Sequence, residues 1–120
     1  MARLRVFQAA LVSLALAVAL GAFAAHGLEG VVSAARLETW RVGVRYQAWI
    51  SLALLAVALW PGVIARGAVW SLLLGMVVFS GSLYLLVWFD LPWLGAITPI
   101  GGALMMLGLC WAAISCKRPL

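Results

Sequence analysis

Four long apolar stretches, separated by short breaks, dominate this chain and fall at about 6–25, 34–60, 67–89 and 93–115. A helix needs roughly 20 apolar residues to cross the hydrocarbon core of a bilayer. A chain of 120 residues holds four such spans and little else, so a single membrane domain over 1–120 is expected. Only 9% of the residues are charged, against roughly 25% in soluble domains, which is too few to cover a water-facing surface. The expected fold class is all-α: an integral membrane bundle of four transmembrane helices, with an interfacial amphipathic helix leading into the second.

The charges then report topology. The net charge is +5, but no dense basic face of the kind that binds nucleic acid is present. With four spans, Arg3, Arg5, Arg66, Lys117 and Arg118 share one side of the membrane, and Arg36, Arg41 and Arg45 share the other with Glu29, Glu38 and Asp90. Basic residues mark the cytoplasmic side, so both termini are expected in the cytoplasm of a bacterial inner membrane. The basic start followed by an apolar run also resembles a signal peptide. The run is longer than a typical signal core, and a retained helix is the preferred reading. Cys110 and Cys116 do not share a helical face and lack metal spacing, so both are expected reduced and structural.

Along the first stretch Ser13, Ala17, Gly21 and Ala25 recur every four residues, a row of small side chains that lets another helix approach. His26 ends this helix, and residues 27–30 read as a flexible joint. Ser33 is a candidate N-cap. The segment 34–45 carries Arg36, Glu38, Arg41 and Arg45 and is expected at the interface, with Leu37, Trp40 and Val44 turned to lipid or protein and Gly43 allowing a bend. Pro61-Gly62 stops the second helix. Trp60, Trp70, Trp88, Trp93 and Trp111 fall near span ends, as interfacial anchors do.

The polar residues inside the spans are the candidate site. Depth counting places Tyr46, Gln47, Ser80, Ser82, Tyr84 and Thr98 in the outer half, near His26. An unsatisfied polar group in hydrocarbon costs several kcal/mol, so these groups are expected to face one another. Pro99 has no N–H and deprives the carbonyl of Gly95 of its helical partner. With Gly101 and Gly102 following, the fourth helix is expected to kink there, the freed carbonyl being met by Thr98, Tyr84, Gln47 or water. Two readings stand: a hydrogen-bonded junction that locks the bundle, or a ligand site at a broken helix. Gly21, Gly81, Gly101, Gly102 and Gly108 are the expected close-packing glycines.

Catalytic chemistry is not suggested. A single histidine does not make a metal site. Glu29, Glu38 and Asp90 fall in loops or at the interface, where solvated charge is the default. No serine–histidine–acid set, phosphate loop or nucleotide motif is visible. No enzyme activity, metal or cofactor is expected.

The residues Gly21-Ala-Phe-Ala-Ala-His26, Tyr46-Gln47-Ala48, Phe79-Ser-Gly-Ser-Leu-Tyr84 and Thr98-Pro-Ile-Gly-Gly102, in this order and spacing, resemble the YgdD-like family, domain of unknown function 423. These are small bacterial inner-membrane proteins with mitochondrial relatives. The resemblance covers nearly the whole chain and implies four helices, but no established activity. The family pattern resembles Tyr-Gln-x-x-His, whereas this chain has Tyr46-Gln47-Ala48-Trp49-Ile50, so a two-histidine metal or haem site is not implied. Ala24 stands where glycine is common.

The function expected from these features is that of a small structural or accessory subunit binding membrane partners or lipid, alone or as a homo-oligomer. The alternative is an oligomeric transporter or channel for a small solute or ion, using the broken helix at Pro99.

Overall fold

The computed structural model describes residues 2–119. Helix α1 covers Ala2–Phe23 and continues through a π-helical turn, Ala24–Leu28. Helix α2 covers Ala34–Leu59 and α3 covers Arg66–Phe89. A 3₁₀ turn, Pro92–Ala96, precedes α4 at Thr98–Ser115. Taken with their flanking turns, four helical segments are long and apolar enough to cross a membrane: Arg3–Leu28, Ala34–Leu59, Arg66–Phe89 and Pro92–Ser115.

Local chemistry sets these boundaries. The Ser33 side chain accepts from the Arg36 N–H at 3.2 Å and caps α2 as expected. Asp90 ends α3 in the left-handed conformation, φ 54°, a region in which Asp is several-fold enriched among non-glycine residues. Pro92 lies in the first turn of the 3₁₀ segment and Pro99 in the first turn of α4, where the missing N–H costs nothing because no helical partner is available. The irregularity of the fourth span is therefore at 92–97, ahead of Pro99, and Gly101 and Gly102 lie in regular helix. The first span is longer than expected. Gly27 and Leu28, assigned to a flexible joint, belong to the π turn, and the Leu28 carbonyl then closes the loop by accepting from Val31 and Val32.

The helices pack in chain order, α1 on α2, α2 on α3, α3 on α4, with only a marginal approach of α2 to α4. Among the described residues the α1 backbone comes close to neither α3 nor α4, although side chains bridge α1 and α3, Ser13 reaching Met76 and Phe23 reaching Trp88. The result is a row rather than a closed square, 55 × 26 × 18 Å in extent. An open seam between α1 and α3 has α2 as its floor.

Two apolar clusters hold the row together. One joins Ala24, Leu28, Leu37, Trp40, Leu86, Val87 and Leu94. The other joins Ala10, Ile50, Leu54, Leu72, Met76 and Met105. Ile50, where the resembled pattern has histidine, is only 5% exposed in the second cluster. Helix α2 runs through Gly43 without interruption, so Gly43 does not break it. The missing side chain serves contact instead: a Cβ there would lie 2.9 Å from the Tyr84 ring.

The α3–α4 contact is the tightest. A Cβ on Gly75 would sit 2.7 Å from the Met105 nitrogen, one on Gly108 would sit 2.8 Å from Leu72 Cγ, and one on Gly101 would collide with the Phe79 backbone. Gly102 and Gly21 have ordinary or slightly close neighbours, at 3.7 and 3.4 Å. Gly81 departs from expectation. A Cβ there would meet nothing within 4 Å, because it faces the open α1–α3 seam and not a neighbouring helix.

At the end that carries Arg3, Arg66 and Lys117, the loop after α2 pairs with the tail after α4. Val63 and Lys117 exchange two backbone hydrogen bonds, at 3.0 and 2.8 Å. The Trp60 indole donates to the Lys117 carbonyl at 3.1 Å, the Ala65 N–H donates to Ser115 Oγ at 3.1 Å, and the Arg3 guanidinium donates to the Gly62 carbonyl.

Candidate functional site

The expected polar set is largely brought together, but as a chain of contacts running across the helices. Gln47 is its centre and is buried. Its amide donates to the Ser13 carbonyl at 2.9 Å and to Ser13 Oγ at 3.3 Å, and its oxygen accepts from Tyr84 Oη at 2.7 Å. Ser51, one turn further along α2, donates to the Gln47 carbonyl at 2.6 Å and lies 2.7 Å from Ser13 Oγ. Ser13 and Ser51 also approach Met76 Sδ, both at 3.5 Å. One glutamine thus ties α1, α2 and α3 at a single level.

Two further bonds complete the set. Ser80 donates to the Gly43 carbonyl at 2.7 Å, beside the point where Gly43 admits the Tyr84 ring. Ser82 and Thr98 share a hydrogen bond of 2.6 Å between α3 and α4, and Thr98 also donates to the Leu94 carbonyl at 3.3 Å. The hydroxyl of Thr98 therefore serves the carbonyl of Leu94 and not that of Gly95. Among the described residues every buried side-chain nitrogen or oxygen has a partner within the chain.

The placement differs from the sequence expectation in depth. Gln47 lies midway along α2 and bonds Ser13, midway along α1, rather than near a helix end. Leu37 and Trp40, expected to turn to lipid or protein, are 8% and 4% exposed and pack against protein. The Trp40 indole donates to the Leu20 carbonyl at 3.0 Å, and its ring lies 4.8 Å from that of Tyr84.

Three expected members stand apart. His26 is exposed on the π turn and joins none of these hydrogen bonds. Tyr46 is half-buried between Phe79 and Trp49, with ring centroids 4.7 and 4.9 Å away. Pro99 is exposed at the start of α4.

Sequence reasoning missed three groups. The small-residue row gives Ser13 only a packing role, although a hydroxyl inside a span is itself a signal. Ser71 donates to the Leu104 carbonyl at 2.7 Å and adds a second α3–α4 tie. Arg36 pairs with Asp90 at 2.8 Å and donates to the Leu86 carbonyl at 3.0 Å, fastening the start of α2 to the end of α3. Glu38 pairs with Arg45 at 3.6 Å. Cys110 and Cys116 are both free and exposed.

Four apolar spans joined by internal hydrogen bonds define a small polytopic helical membrane protein. The chain belongs to the DUF423 family: the family model described as "Protein of unknown function (DUF423)" matches residues 20–102. It is similar to a UPF0382 membrane protein of Staphylococcus haemolyticus, 43% identical over 103 residues that cover 83% of this chain and 84% of the relative. The UPF0382 membrane protein YwdK of Bacillus subtilis is 43% identical over 97 residues, covering 77% and 79%. A UPF0382 membrane protein of Haemophilus influenzae is 43% identical over 101 residues, covering 82% and 80%. No solved structure is matched.

Proposed function

We propose that this chain is a structural or accessory protein of the bacterial inner membrane, one that presents a rigid helical surface to lipid or to other membrane proteins. The observation that carries this reading is the use made of the buried polar groups. Gln47, Ser51, Ser80, Ser82 and Thr98 all bond to other groups of the same chain. A ligand site needs a few polar groups left to orient its ligand. Groups that satisfy one another rigidify the fold instead. On this reading the chain is not an enzyme and takes no cofactor.

The positive-inside rule supports termini in the cytoplasm, with the 29–45 and 90 region on the far side. The exposed charges Glu38, Arg41 and Arg45 on the first turns of α2 support contact with the headgroup layer there. Transport through the fourth span gains no support from the geometry, because the Thr98 hydroxyl is engaged by Ser82 and by the Leu94 carbonyl.

Extraction into a mild detergent followed by native mass spectrometry tests the proposal. Retained lipid or a stoichiometric membrane partner is the expected result. A chain recovered only alone and lipid-free contradicts it.

A further inference from the structure

The α1–α3 seam widens at the basic end of the molecule into a groove of about 820 Å³. Arg3, Arg5 and Arg66 lie at its rim, and its walls include Val6 and Ala9 on α1 with Val69 and Leu73 on α3. Val57 and Ala58 of α2 line it as well, and the groove opens where the backbones of α1 and α3 stay apart. Its size falls within the range of roughly 300–1,000 Å³ typical of small-molecule sites. A second hollow of about 380 Å³ shares Ala9 and continues the seam past Val12, Leu16 and Gly81. The empty space beside Gly81 thus belongs to a channel-like depression. From Arg5 to Leu16 the seam runs about 16 Å at 1.5 Å per helical residue, which is on the scale of one half of a hydrocarbon core roughly 30 Å thick.

The charge at the mouth is one-signed. Among the described residues the ion pairs are Arg36–Asp90 and Arg45–Glu38, so neither Arg3, Arg5 nor Arg66 has an acidic partner. The three acids of the chain, Glu29, Glu38 and Asp90, all lie toward the opposite end of the row. The Arg3 guanidinium lies beside the Gly62 carbonyl, itself part of the lining. Guanidinium groups suit phosphate because their planar fork donates two parallel hydrogen bonds.

We propose that this groove binds one anionic phospholipid, its phosphate held by Arg3, Arg5 and Arg66 and an acyl chain laid along the α1–α3 seam. Basic ends joined to apolar walls match an amphiphile with an anionic head. The inference rests on the lipid-binding reading above and assigns it a place and a lipid class.

The test is native mass spectrometry of the full chain in a mild detergent supplemented with equal amounts of dioleoyl phosphatidylglycerol and dioleoyl phosphatidylcholine, whose chains are identical. A basic residue near an anionic surface is worth about fivefold in affinity, so retention of the anionic lipid is expected to exceed that of the zwitterionic lipid at least about fivefold. R5Q/R66Q should bring the two close to parity, while Arg41→Gln at the other end leaves the preference intact. Ala9→Trp keeps all three arginines but fills the seam at an exposed position, and should lower retention of the anionic lipid. Each variant is first checked for an unchanged elution volume in size-exclusion chromatography. Equal retention of both lipids by the wild type, or a preference that survives R5Q/R66Q, overturns this site and leaves general lipid binding standing. Retention of neither lipid overturns both. Full displacement of the lipid by glycerol phosphate, which has the headgroup and no chains, shows a simple phosphate site and overturns the proposal.

Discussion

Ser82 and Thr98 meet hydroxyl to hydroxyl at 2.6 Å, where the 3₁₀ turn hands over to α4. The contact fixes the irregular start of the fourth span against α3. Thr98→Val keeps the shape and removes the donor and acceptor, leaving Ser82 with only the Phe79 carbonyl at 2.9 Å. Interhelical hydrogen bonds in membrane proteins average about 0.6 kcal/mol and reach about 1.7 kcal/mol. Thr98→Val is expected to destabilise by an amount in that range, read from denaturation in mixed micelles.

The glycines divide into two kinds, and the division is testable. Gly101 and Gly75 sit where a Cβ would strike the backbone of the facing helix. Overpacking of this kind typically costs about 1–3 kcal/mol, so Gly101→Leu should separate α3 from α4 and lower thermal stability markedly. Gly81→Leu adds a side chain to open space. It also replaces a poor helix former, worth up to about 1 kcal/mol in a helix interior. It should fold with unchanged or raised thermal stability.

Asp90 combines an ion pair with a left-handed backbone. Its side chain is 83% exposed, and exposed pairs contribute about 0–1 kcal/mol. Asp90→Asn keeps a residue type that tolerates positive φ and should change stability by less than about 1 kcal/mol. Asp90→Val places a β-branched residue in a conformation that costs it roughly 1–2 kcal/mol, and should be the more damaging change.

Topology is open to a direct reading. Reporter fusions at residue 64 and at the C-terminus should report cytoplasmic, and a fusion at residue 31 should report the opposite side. The reverse pattern would place both termini, and the basic groove with them, on the outer side of the membrane.

Much of the architecture was legible because lipid imposes a simple rule. Runs of about 20 apolar residues announced the spans, and Ser33 and Pro61 announced where α2 starts and stops. The membership of the polar set was legible for the same reason, since Gln47, Ser80, Ser82, Tyr84 and Thr98 are conspicuous in apolar sequence. Their pairing was not. That Gln47 would reach Ser13 rather than His26 depends on how far α1 and α2 slide past each other, and no local pattern encodes this. Gly81 differs for a similar reason: small residues signal close approach only where a neighbour lies opposite, and nothing lies within 4 Å of a Cβ at Gly81. The Arg36–Asp90 pair links residues 54 apart, a contact set by the packing of α2 on α3 and not by sequence spacing.

The central claim is that the buried polar residues lock the helices to one another. A double-mutant cycle on Gln47→Leu and Tyr84→Phe tests it most directly, with unfolding free energy measured in mixed micelles. Because Tyr84 Oη donates to Gln47 Oε1 at 2.7 Å, the account predicts a coupling between about 0.5 and 2 kcal/mol. Coupling indistinguishable from zero, with both single variants as stable as the wild type, would contradict it.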